Sequence, residues 1–153
     1  MQDSLTSNRA APRRWLNANA VHESFPIHFR RPDIRVAEIE SLRPRYPVLL
    51  VITHALSRVK SNGLPESDYN LSLEALDCAL LEPFDDESSG LVAVVETFAG
   101  KRTYYLYIDA SFDAEGFEAS IRARYADAQL AWERNEDRGW RVFRGYARDF
   151  QFP

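Results

Sequence analysis

The run YPVLLVITHAL at residues 46–56 is apolar and rich in β-branched side chains, without polar alternation. A central strand covered on both faces reads this way, and Pro47 suits its first position. Downstream the period changes. Tyr69, Leu73, Leu76, Ala79 and Leu80 recur at three- and four-residue steps, which predicts one helix over residues 67–82. Glu66, Asp68, Asn70, Glu74 and Asp77 fall on its outer side. Asn62 and Gly63 supply a turn, Pro65 fixes the approach to the helix, and Pro83 stops it. Strand patterning returns in LVAVVETFAG and, after a turn at Ala99 and Gly100, in KRTYYLYIDA. Asp113 is placed to cap a second helix with Phe117, Ile121 and Tyr125 as its stripe, and AQLAWER reads as a half-buried strand.

From residue 46 to 134 the order is therefore strand, helix, strand, strand, helix, strand. It predicts an α+β fold with a ferredoxin-like βαββαβ core, in which right-handed crossovers put both helices on one face of an antiparallel sheet. Residues 1–12 read as a polar, flexible arm. Residues 13–45 read as an N-terminal β extension, with a hairpin around Trp15, Phe25 and Phe29 and an ambiguous stretch, IRVAEIESL. In the C-terminal segment, residues 135–153, the three-residue steps of Trp140, Phe143 and Tyr146 predict a short helix. Residues 13–153 form a single domain on this reading.

In that topology the strand at 101–109 lies at the sheet centre. Alternation places Arg102, Tyr104, Leu106 and Ile108 on one face and Thr103, Tyr105, Tyr107 and Asp109 on the other. The first set is more apolar and should meet the helices. Tyr105 and Tyr107 then point to the open face, spaced like the aromatic pair on which RNA-recognition domains stack bases. The strand lacks the glycine, aromatic and basic signature of such domains, however. It also lies in the acidic part of the chain: residues 61–153 carry nine Arg/Lys against eighteen Asp/Glu, whereas residues 1–60 carry ten against five. Trp15, Phe25 and Phe29 need a place to bury, and the open face offers one. Cross-strand packing of the tyrosines is the expectation, and nucleic acid is disfavoured as a partner. The split charge could instead join the two halves or offer a basic face to an acidic partner.

Signatures of chemistry are sparse. His22, His28 and His54 show no metal-ligand spacing and there is one cysteine, so neither a metal nor a cofactor is expected. His54 reads as a satisfied strand-end residue, and Cys78 as an inert thiol near the buried stripe. Asp85, Asp86 and Glu87 read as a solvated loop rather than a positioned acid and base. Nucleophile-elbow, Walker and dinucleotide-binding motifs are missing from the sequence. The single cysteine excludes an internal disulfide, no stretch has the length of a membrane span, and the first residues lack the apolar core of a secretory signal. A cytoplasmic location is the expectation.

The segments RPRYPVLLVITH, SNGLPESDYNLSLEALDCAL, GLVAVVETFAGKRTYYLYID and WERNEDRGWRVF together resemble, in order and spacing, a bacterial family known only as domain of unknown function 695. The matching positions are Tyr46 with Pro47, the Asn-Gly-Leu-Pro at 62–65, the helix at 74–80, the aromatic strand after Gly100, and Asp137 with Trp140; Trp15 and Arg30 fit as well. Lys101 is an extra basic residue between Gly100 and Arg102. The resemblance implies a fold and no catalytic residues. By it the chain also looks like a relative of the regulator B family of ribonuclease E, small acidic proteins that act by binding an enzyme, which implies a binding module.

The first functional reading is a non-enzymatic interaction or regulatory domain with a protein partner, with homodimerisation through a sheet edge as an option. The alternative is an RNA- or nucleotide-binding domain that uses the sheet face. A second alternative is a small hydrolase, which needs a pocket collecting histidine and carboxylate groups. Candidate contact residues are Asn62, Gly63 and Pro65 in the loop, and Arg102, Tyr105 and Tyr107 in the aromatic strand.

Overall fold

Residues 13–152 are described in the computed structural model; the arm expected at 1–12 lies outside them. Strands β1 (Trp15–His22), β2 (Phe25–Pro32), β3 (Val48–Ala55), β4 (Gly90–Phe98), β5 (Lys101–Ile108) and β6 (Leu130–Glu136) form one antiparallel sheet in the order β1-β2-β4-β5-β3-β6. The helices are α1 (Ile39–Leu42), α2 (Ser67–Ser72), α3 (Glu74–Leu81), α4 (Ala114–Arg124) and α5 (Arg141–Asp149). The fold is α+β as the patterning predicts, but the sheet is six strands wide because β2 of the N-terminal hairpin pairs with β4, Ile27 opposite Phe98. No helix among the described residues is long and apolar enough to cross a membrane.

Each face of the sheet carries its own core. On one side Leu50, Ile52, Tyr104 and Leu106 meet Leu76 and Leu80 of α3 and Ile121 of α4. The Asp113 carboxylate caps α4 by accepting from the Gly116 amide at 3.0 Å, as its position predicts. The helix expected over 67–82 is broken at Leu73. Its amide reaches back only three residues, to the Asn70 carbonyl at 3.2 Å, while the Ser72 hydroxyl donates to the Tyr69 carbonyl at 2.6 Å. Such local bonds compete with the regular helix ladder. Two expectations for this segment are corrected: Asp77 is buried rather than on the outer side, and Cys78 is exposed rather than near the core.

The other face, expected to be open apart from the N-terminal aromatics, is covered mainly by the C-terminal helix. Trp140 stacks on Tyr107 with ring centroids 4.2 Å apart, and its indole N–H donates to the Tyr46 carbonyl at 2.8 Å. The Tyr107 hydroxyl donates to Asp137 at 2.7 Å and accepts from the Phe143 amide at 3.2 Å. Asp137 also accepts from the Arg141 amide at 2.8 Å, so one carboxylate caps α5 and ties it to the sheet. Tyr146 bonds Glu96 and, at 3.1 Å, the Tyr105 hydroxyl. Of the three early aromatics only Phe29 is buried here; Trp15 and Phe25 remain exposed. The ambiguous IRVAEIESL is a 3-10 turn running into α1, which adds Ile39 and Leu42 to this core.

Charge joins the two parts of the chain. Arg13 bonds Glu87 and, at 3.0 Å, Glu38, and Arg30 pairs with Asp77. Glu87 is thus an ion-pair partner and not part of a merely solvated loop.

Candidate functional site: a groove around Arg102

Helices α3 and α4 pack on strands β3 to β6, and no described residue of the N-terminal hairpin joins that core. At that boundary two adjoining cavities of about 400 Å³ each share His28, Asn70, Leu71, Thr97 and Arg102 in their walls. Alternation builds the floor. Phe29 turns to the α5 side, so its neighbours His28 and Arg30 face the groove. Register then sets Arg102 of β5 between His54 of β3 and Thr97 of β4.

Arg102 is 9% exposed. Its Nε donates to the Thr97 hydroxyl at 3.0 Å and its Nη2 to the Asn70 side-chain oxygen at 2.7 Å. Both partners are neutral, and no carboxylate among the described residues pairs with it. Two of the five N–H donors of the guanidinium are thereby used. The nearby buried acid is committed elsewhere: Asp77 accepts from Arg30 at 2.5 Å and from the Tyr104 hydroxyl at 2.8 Å. Burial, and then the charge of Asp77, pushes the Tyr104 phenol far above its ordinary range, which keeps it a neutral donor.

Two histidines border the arginine. His28 shares a hydrogen bond with the Asn19 side chain at 3.0 Å. Burial, then Arg102 and Arg30, holds its pKa below the ordinary value. His54 is 3% exposed and its Nδ1 is buried without a partner, contrary to the satisfied residue expected from sequence. Its pKa is lowered by burial and then by Arg102. Both rings are neutral at pH 7, leaving Arg102, Arg30 and Lys60 as the cations of the groove and Glu74 and the Arg30-paired Asp77 as its acids. Leu64, Pro65 and Leu71 supply an apolar lip. Such a site suits an anionic group carried on an apolar segment; a nucleophile and base are not assembled in it.

The candidate residues read from sequence separate into three sets. Arg102 and Pro65 line the groove. Asn62 and Gly63 shape the loop behind it: the Asn62 side chain accepts from the Leu64 amide at 3.0 Å, and the Gly63 carbonyl accepts from the Gly100 amide at 2.8 Å. Tyr105 and Tyr107 lie on the opposite face beneath α5, so they share no site with Arg102 and are not a stacking platform. Sequence reasoning missed His28, Asn70, Asp77 and Thr97. Asp77 had a positional signal, four residues after Leu73 and three before Leu80, which is the buried stripe itself.

No curated protein and no solved structure matches the chain. One family does, described as Family of unknown function (DUF695), over residues 14–147, a span that holds the whole sheet and every wall of the groove. The chain belongs to that family.

Proposed function

We propose that this chain is a non-enzymatic binding domain of the cytoplasm that takes a protein partner by a carboxylate seated on Arg102. The single observation that carries the reading is an arginine nine-tenths buried, whose guanidinium has neutral partners only and donors to spare. A buried charge is ordinarily paired, and an incoming carboxylate completes this one with bidentate bonds. The apolar lip of Leu64, Pro65 and Leu71 then receives the residues flanking that acid. The likeness to the regulator B family of ribonuclease E agrees with a role exercised by binding. We further read β4-β5-β3-β6, with α2 and α3 as one crossover and α4 as the other, as a ferredoxin-like core to which the hairpin adds two strands.

The test is an amide-shift titration with a Leu-Glu-Leu peptide acetylated at its N-terminus and amidated at its C-terminus, its Leu-Gln-Leu counterpart blocked in the same way, and a single-stranded RNA. Shifts at Asn70, Thr97 and the Arg102 side chain with the glutamate peptide alone, lost in Arg102→Met, are expected. Equal response to both peptides, or binding that survives R102M, overturns the proposal. Saturable RNA binding in the same groove transfers the site to the alternative reading.

A further inference from the structure

We propose that two copies of this chain associate through their β1 strands, paired antiparallel about Ala18. β1 is an outer strand of the sheet, and among the described residues no strand lies on its outward side. It keeps unbroken register with β2 for eight residues, from Trp15 opposite Pro32 to His22 opposite Phe25. Its sequence, WLNANAVH, holds no Asp, Glu, Lys, Arg or Pro. Edge strands are usually protected by charge, proline, a bulge or shortness, and this one has none of those devices. The far edge is different: β6 presents Glu133, Arg134 and Glu136.

The occupant that fits is a second β1. In a two-fold antiparallel pair, residues directly opposite one another share a face, so the positions of each pair add up to an even number. Centring on Ala18 sets Asn17 opposite Asn19, Leu16 opposite Ala20, and Trp15 opposite Val21. Trp15 and Val21 are 38% and 73% exposed in the single chain, and the pairing covers each with the other, twice per dimer. The ends are complementary too. Arg13 is held within its own chain by Glu87 and Glu38, but the exposed Arg14 precedes the strand and Glu23 follows it, so each Glu23 comes beside Arg14 of the other copy. A slip of one residue reverses the faces, and a slip of two separates Trp15 from Val21. The resulting two-fold axis is perpendicular to the sheet, which therefore runs continuously through both copies and presents both Arg102 grooves on one side. The pairing does not depend on what those grooves bind.

Ala18 is exposed and stands at the axis, so a charge there meets its own copy. Sedimentation equilibrium of the full chain should give twice the single-chain mass at micromolar concentration. Ala18→Lys and Ala18→Glu should each give the single-chain mass with an unchanged circular dichroism spectrum. Mixing the two variants in equal amounts should restore a dimer holding one chain of each, as native mass spectrometry reads it. A single-chain mass for the unaltered protein overturns the proposal, as does an A18K variant that stays paired. Failure of the mixed variants to associate overturns the register.

Discussion

His54 and Arg102 stand opposite each other in neighbouring strands, and burial, then the charge of Arg102, makes the histidine expensive to charge. Only the arginine, which cannot shed its proton, stays cationic; the histidines yield. Their depressed pKa values make stability depend on pH in a definite direction. Below the ordinary value of 6.5 the unfolded chain binds protons that His28 and His54 resist in the folded one. Their contribution is complete above that value and is lost as pH falls below it. Denaturant midpoints should therefore decline between about pH 7 and about pH 5, and His54→Leu should flatten that slope. Arg102 itself makes no ion pair that its removal would break. Arg102→Met should keep stability within about 1 kcal/mol of the parent by urea unfolding, while abolishing peptide binding. At this scale the sequence was legible for Asp113 and for the face each tyrosine takes, because alternation and capping are local rules. Asp77 was assigned outward by its chemistry, and its buried position depends on Arg30 and Tyr104 arriving from two distant strands.

Among the elements, the loop at 62–65 reaches the groove by leaning on the β4–β5 turn. Gly63 has φ of +85°, and a Cβ there would lie 2.8 Å from the Ala99 Cα, backbone that has little room to give. Gly63→Ala should cost about 2 kcal/mol or more in thermal or chemical unfolding and shift the Leu64 and Pro65 resonances. The strands were well marked in sequence because apolar runs and turn residues bound them. One was marked misleadingly. Between Val92 and Val94 the register of β4 with β5 shifts, leaving Ala93 as the extra residue of a bulge. Counting alternate residues from Val92 would send Glu96 to the α3 side; past the bulge it is Thr97 that faces Arg102, and Glu96 that meets Tyr146. A bulge has no reliable signature in a run such as LVAVVETF, since every candidate residue is apolar. The helix break at Leu73 was equally hidden, because the apolar spacing runs through it undisturbed.

The whole molecule is a sheet between two unequal covers, and the second cover was the least legible part. Trp140, Phe143 and Tyr146 announced a helix, but nothing in their spacing tells where it docks; that is decided by Tyr107 and Asp137, thirty residues apart. A chain ending at residue 136 should keep β-rich far-ultraviolet dichroism, lose near-ultraviolet signal and bind the dye ANS, because Tyr105, Tyr107 and Phe29 lose their covering. Full near-ultraviolet signal in that truncated chain would show that α5 is dispensable. The Trp140 latch also has a bearing on biosynthesis. A ribosome delivers β5 well before it delivers the indole that must lie on it, so for the time needed to add those intervening residues a nascent chain carries an uncovered aromatic surface. Chaperones that capture greasy patches have their window then, and it shuts when Trp140 slots between Tyr107 and the Tyr46 carbonyl.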